Sequence, residues 1–167
     1  RGAGRIVLVG RRGPGAEQQA LLQELRSAGA TVIAEALDVS DAVGLRDLLE
    51  RLRRDGPPLR GIVHSAGALD DAALIQQDAV RYERVFASKV RGTALLESLT
   101  RSDPLDWLVY FSSIAAVFGS PGQTNHSAAN AFLDALARDQ RLRGLPVSSI
   151  NWGPWAEVGA AVTHDVS

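Results

Sequence analysis

Hydrophobic residues follow one another along this chain in two alternating rhythms. Short apolar runs at Arg5 to Gly10, Thr31 to Leu37, Gly61 to His64, Trp107 to Phe111 and Val147 to Asn151 have the length and content of strands buried on both faces. Between them, apolar positions recur every three or four residues, which predicts helices. Ala20, Leu21, Leu25 and Ala28 mark the first, which Gly29 closes. Val43, Leu45, Leu48, Leu49 and Leu52 mark the second; Ser40 can cap it and the loop Asp55-Gly56-Pro57-Pro58 ends it. A long helix is expected from about Ala79 to Leu99, and another from about Thr124 to Arg143. Strands that alternate with amphipathic helices predict a parallel sheet covered on both faces, a doubly wound α/β domain. The pattern fades from Gly153 to Ser167, which reads as a loop or the start of a lid.

Composition narrows the classes that remain. The chain has 167 residues, 46% hydrophobic and 22% charged, the proportions of a folded globular domain. A net charge of −1 supplies no global field to hold nucleic acid or an anionic membrane. The absence of cysteine excludes disulfides, thiolate metal sites and cysteine nucleophiles. His64, His126 and His164 are too scattered for a local metal motif. No apolar run approaches the roughly 18 residues needed to span a bilayer, so a cytoplasmic setting is expected. Seventeen arginines accompany a single lysine, Lys89.

That lysine shares a helical stripe with Tyr82, Val85, Phe86, Thr93 and Leu96, which turns it inward. Burying an ammonium costs several kcal/mol unless it is partnered, so the position suggests a ligand or carbonyl to meet it. The plainer alternative is a lysine at the edge of the stripe that reaches solvent. Ser112 and Ser113 follow the fourth apolar run, where ligands of open α/β sheets bind, although a serine pair there is also an ordinary turn. His126 and Asn130, four apart, share a helix face; the histidine could be a general acid or a helix-start residue bonded locally. Arg11 and Arg12 follow the first strand, where they could grip a phosphate or lie in a surface turn. Asp38-Val39 and Ala66-Gly67 end strands with room for a ring or sugar near the backbone, and Leu69-Asp70-Asp71 reads alone as a solvated turn.

In their order and spacing these segments resemble the ketoreductase domain of modular polyketide synthases, within the short-chain dehydrogenase/reductase superfamily. The likeness is carried by Leu8 to Pro14, Leu37 to Asp41, Val63 to Gly67, Leu69-Asp70-Asp71, Lys89 to Gly92, Phe111-Ser112-Ser113, Gly122 to Asn125, Ala128 to Leu136 and Asn151 to Trp155. It implies a Rossmann-like doubly wound parallel sheet. It also implies NADPH-dependent reduction of a β-ketoacyl chain that an acyl carrier protein presents on phosphopantetheine, beside neighbouring synthase domains. Lys89, Ser113 and Asn130 match three of the family's four active-site residues, and His126 stands where the family has tyrosine. By the same resemblance Ser113 would hydrogen-bond the ketone, while Lys89 would hold the nicotinamide ribose and feed a proton relay that Asn130 completes. Arg11 and Arg12 would read the 2′-phosphate, Asp38-Val39 would lie beside the adenine, and Ala66-Gly67 would complete the cofactor contacts. Leu69, Asp70, Asp71, Pro121 and Asn125 match the group that forms a D-hydroxyl, and Phe118 stands where the opposite group has tryptophan.

The family's first strand and glycine-rich turn are expected immediately before residue 1. Residues 1–152 are accordingly expected to be the core of a partial ketoreductase domain that lacks them. The lost tyrosine supports a second expectation, a noncatalytic ketoreductase-like domain that scaffolds its neighbours. A phosphoacceptor receiver, which shares the alternating pattern, would need an acidic cluster at the strand ends where this chain has a lone Asp38.

Overall fold

The computed structural model describes residues 2–154. The expected tail from Gly153 therefore falls almost wholly outside the described residues, as does Trp155. The strands are β1 (Arg5–Gly10), β2 (Thr31–Ala36), β3 (Gly61–His64), β4 (Trp107–Ser113) and β5 (Val147–Trp152). The helices are α1 (Ala16–Ser27), α2 (Ala42–Arg54), α3 (Ala79–Phe86), α4 (Gly92–Thr100), α5 (Ala115–Phe118) and α6 (Thr124–Leu142). All ladders are parallel, in two pieces ordered β1-β2 and β3-β4-β5. The doubly wound α/β arrangement is thus present, Rossmann-like, but no ladder joins β1 to β3. A cavity of about 430 Å³ lies between them, with Val7 and Val9 on one side and Ile62 and Val63 on the other.

Two apolar clusters hold these elements in place. Leu133 and Ala137 of α6 pack on Leu108, Tyr110 and Val147 of β4 and β5, while Leu45 and Leu49 of α2 pack on Leu96 of α4. Each buried leucine contributes about 1.5–3 kcal/mol. Tyr110 is fully buried and donates its hydroxyl to Gln140 Oε1 at 2.9 Å; burial pushes its phenol up to about 12.

Three local expectations need correction. Asp41, not Ser40, caps α2, accepting the Val43 and Gly44 N–H groups at 3.1 and 3.2 Å. A carboxylate there also answers the positive end of the helix, whereas the Ser40 hydroxyl turns to Asp38 at 2.7 Å. The long helix over 79–99 is broken, because Ala87–Arg91 forms a π-turn between α3 and α4. The stripe Val85, Lys89, Thr93 and Leu96 keeps spacings of three and four residues across the break, so periodicity does not reveal it. Finally, β4 runs two residues past Phe111, since pairing of Ser112 with Asn151 and Ser113 with Trp152 keeps both serines in the ladder.

Candidate active site

Single π-turns are frequent at functional positions, and this one carries Lys89. The lysine is 6% exposed, and its Nζ donates to the Phe111 carbonyl of β4 at 2.8 Å. The inward reading of the stripe therefore holds, and the solvent-reaching alternative does not. Thr93 donates its hydroxyl to the Lys89 carbonyl, satisfying a group that the π-turn displaces from the regular helical ladder. Buried His64 donates Nε2–H to the Ser88 carbonyl at 3.1 Å and pins the same turn from β3. Burial, then the Lys89 charge, pulls the His64 imidazole down to about 4, so it is neutral at physiological pH. Lys89 is itself lowered by burial to about 8, against the opposing pull of Asp134. Gly67 lies beside the lysine, where a Cβ would come into van der Waals contact with Lys89 Cε at 3.4 Å.

The end of β4 brings the serines to this lysine. Ser113 Oγ accepts the Ala115 N–H at 3.2 Å, an arrangement that leaves its O–H available to donate elsewhere. Ser112 faces the other way and donates to the Asn130 carbonyl of α6 at 3.2 Å. Asn130 in turn donates to the His126 carbonyl at 2.8 Å. A continuous set of contacts therefore links Lys89, the Ser112-Ser113 strand end, Asn130 and His126. His126 is not bonded locally at its ring: Nδ1 is buried without a partner among the described residues, as are Asn130 Oδ1, Thr124 Oγ1 and Ser127 Oγ. These atoms cluster on the first turns of α6, which makes that face a candidate to meet a ligand. The His126 imidazole is lowered from its ordinary value by burial first and by Lys89 second, while Asp71 opposes the fall.

The segments that follow β1, β2 and β3 line the cavity. Gly10, Arg11, Asp38, Val39, Ala66 and Gly67 all border the cavity. Arg11 and Arg12 are both exposed. Hydrogen bonds from Ser40 hold the Asp38 carboxyl below its usual range, assisted by the charges of Arg11 and Arg91. Val39 touches the start of α4 so closely that a Cβ at Gly92 would come within 2.7 Å of it. This donor set fits the adenosine and phosphate end of a dinucleotide. Among the described residues, however, no glycine-rich turn is available for a pyrophosphate.

The solvated-turn reading of Leu69-Asp70-Asp71 fails for Asp70. Its side chain is 12% exposed and held by Arg81 and Arg84 of α3. Asp71 is exposed and accepts from Gln123 at 2.8 Å. Asn125, fully buried, donates to the Asp70 carbonyl at 2.9 Å, and Pro121 lies exposed in the loop before α6. Phe118 is 81% exposed at the end of α5. The sequence reading missed Asp134, which accepts from Ser149 at 2.5 Å and from Asn151 at 2.8 Å. Asn151 also donates to the Ser113 carbonyl at 3.1 Å, bracing the strand end. The signal was present, since Asp134 follows Asn130 by four residues and shares its helix face. No cluster of potential metal ligands occurs among the described residues, nor any helix long and apolar enough to cross a membrane.

Comparison with known proteins fits this geometry. The profile of the KR domain family matches residues 1–157. Polyketide synthase GfsB of Streptomyces halstedii is 46% identical over 162 residues, 96% of this chain and 3% of that protein. A phenolphthiocerol/phthiocerol polyketide synthase of Mycobacterium tuberculosis is 42% identical over 161 residues, 96% of this chain and 9% of that protein. A solved A1-type ketoreductase superposes with a TM-score of 0.91 at 41% identity, covering 98% of this chain and 35% of its own. The chain thus spans under a tenth of these synthases and about a third of the solved ketoreductase.

Proposed function

The chain belongs to the KR domain family, the ketoreductases of modular polyketide synthases, and we propose that it takes part in NADPH-dependent reduction of a β-ketoacyl chain to the β-hydroxyacyl chain. The observation that carries this reading is the contact path from buried Lys89 through the end of β4 to Asn130 and His126. When bound, NADPH supplies the hydride that reaches the carbonyl carbon. Ser113 donates its free O–H to the ketone oxygen, which gains negative charge as the carbonyl is reduced. His126 supplies the proton that turns that oxygen into a hydroxyl. Lys89 holds the nicotinamide ribose, and Asn130 completes the path by which the proton is replaced.

Arg11 and Arg12 meet the 2′-phosphate, Asp38 and Val39 flank the adenine, and Ala66 and Gly67 leave room for the cofactor beside Lys89. The substrate is a chain carried on the phosphopantetheine of an acyl carrier protein, in the cytoplasm and next to other synthase domains. Leu69, Asp70, Asp71, Pro121 and Asn125 direct formation of the D-hydroxyl. Residues 1–152 act as the core of the ketoreductase domain in this reading.

The histidine in place of tyrosine favours a second reading, a noncatalytic domain that supports its neighbours. One experiment separates the two: the natural polypeptide is given NADPH and a β-ketoacyl pantetheine thioester, and the product is resolved by chiral chromatography. Reduction to the D alcohol supports the first reading, and the L alcohol contradicts its stereochemical part. NADPH binding with turnover only after His126→Tyr moves the domain to the second.

A further inference from the structure

The loop at 69–73 is tied down on two sides, to α3 and to the turn before α6. Asp70 Oδ1 accepts from Arg81 and Oδ2 from Arg84, the latter at 2.7 Å, so both carboxylate oxygens are committed to α3. On the other side, Ala72 N–H donates to the Gly122 carbonyl at 2.9 Å, Gln123 donates to Asp71 at 2.8 Å, and Asn125 donates to the Asp70 carbonyl. Asn125 also reaches the Arg81 carbonyl at 3.4 Å, and its Oδ1 accepts the His126 N–H at 2.7 Å. Gly122, at φ +74, supplies the left-handed backbone that brings its carbonyl to the loop. Of the side chains in this set, only Arg81 and Arg84 lie outside the segments that the family resemblance singles out.

We propose that Arg81 and Arg84 are positioning residues: by gripping Asp70 they hold the loop against the N-terminal turn of α6 and so fix the Asp71 carboxylate on Gln123, three residues before His126. The inference rests on the reductase reading only for its effect on turnover; the placement of Asp71 is a property of the fold. Two charges act on the His126 imidazole in opposite directions, Lys89 of the π-turn lowering it and Asp71 of the loop raising it. Releasing the Asp70 side chain would leave Asp71 held from the α6 side alone, by Gln123 and the Ala72–Gly122 bond, and Asn125, bonded to the loop on one side and to His126 on the other, would meet a less fixed Asp70 carbonyl. An arginine fork suits the task, because two guanidinium groups on successive turns of a helix fix both oxygens of one carboxylate.

The test is a double-mutant cycle on the natural polypeptide, read by ethoxyformylation of His126 with diethyl pyrocarbonate across pH, which reports the neutral imidazole without requiring turnover. Asp71→Asn should lower the His126 midpoint when both arginines are present, by roughly half a unit. In the Arg81→Met/Arg84→Met background the same Asp71→Asn change should shift it by less than about half as much. Arg81→Lys/Arg84→Lys should restore part of the shift, and Arg101→Met, whose partner is Glu97, should leave it intact. An Asp71→Asn shift of equal size in every background overturns the proposal. Should the double methionine variant fail to fold, Arg84→Met alone decides in the same way, since Arg84 is 64% exposed. Where reduction is measurable, the midpoint of its pH profile should follow that of modification, and a profile that ignores it overturns the catalytic part. Absence of reduction with the cycle as expected counts against the reductase reading and leaves the positioning role standing.

Discussion

Around β3, β4 and β5 the polar groups are buried and bonded to one another, whereas at the ends of β1 and β2 the corresponding groups are charged side chains at the surface. Lys89, His64, Ser112, Asn125 and Asn130 are all under a tenth exposed. Arg11 and Arg12 are exposed, and even Leu8 and Val9 of β1 are 43% and 40% exposed. The protein sets the orientation and acidity of a buried group, so its replacement changes both chemistry and folding. An exposed guanidinium contributes its charge to whatever ligand arrives and little else. Substitutions in the two halves should therefore differ in kind: the first set should cost turnover and stability, the second cofactor choice alone.

The largest effect is expected at Lys89. Lys89→Met keeps the length of the side chain and fills the same space, but leaves the Phe111 carbonyl without its donor and removes the only ammonium near His126. Reduction of a β-ketoacyl thioester by the natural polypeptide should fall by about 10²–10⁴-fold, while far-ultraviolet circular dichroism stays unchanged. A variant that keeps parental kcat would show that the three-stranded half is not the catalytic one.

His126 comes next. Its imidazole lies below the ordinary value of 6.5, so the protonated form that can act as an acid exists only on the acidic side of that lowered midpoint. The rate should therefore fall as pH rises through a value under 6.5, and His126→Phe should lose about 10²-fold at the acidic end. His126→Tyr should move the falling limb to higher pH, because an unperturbed phenol ionises near about 10. Turnover in the Phe variant equal to the parent at every pH would remove His126 from the proton path.

These two residues also show how far the sequence could be read. The elements were legible because each strand is short and apolar and each helix has one apolar face, and β1, β3 and α6 begin where the pattern places them. The inward turn of Lys89 was legible for the same reason. Its partner was not, because the Phe111 carbonyl is a backbone atom brought to it by a π-turn that periodicity cannot show. The Asp70 clamp was hidden differently: eleven residues separate it from Arg81, across a 3₁₀ turn and a helix start, so their proximity is a product of tertiary folding. Asp134 alone could have been found, since it repeats the Asn130 position one turn later.

His64 allows the comparison to be drawn in stability. It is 4% exposed and its folded value, about 4, lies below the 6.5 of the unfolded chain. The neutral ring is therefore the folded form, and the stability it permits is complete above pH 6.5. As pH falls from 6.5 to about 4 the unfolded state takes up the proton first, at a cost to the fold of about 3 kcal/mol. His64→Gln keeps a donor for the Ser88 carbonyl and does not titrate, so it should lack that share of the acid loss. Opening free energies from amide exchange in β3 and β4, corrected for intrinsic rates, measure the difference. Parallel pH dependence in the two proteins would mean that His64 accepts its proton without opening the fold.

The smallest effect is expected at β1, and it tests the other side of the contrast. Arg11 and Arg12 stand at the surface beyond Gly10, and Arg11 borders the cavity with Asp38 and Val39. A 2′-phosphate there would gain charge-assisted hydrogen bonds that a 2′-hydroxyl cannot form, although water and salt reduce what an exposed pair contributes. Replacing both arginines by alanine should weaken NADPH binding by about tenfold and leave NADH binding nearly unchanged, because the discrimination resides in the phosphate charge. The preference should also shrink with added salt in the parent protein and not in the variant. Unfolding should be unaffected, since neither side chain is buried. Titrating each cofactor against both proteins at two ionic strengths decides the point. Equal parental affinity for NADPH and NADH would remove the phosphate-reading role from these arginines, and a loss of stability in the alanine variant would show that β1 depends on them structurally, contrary to the division between the two halves.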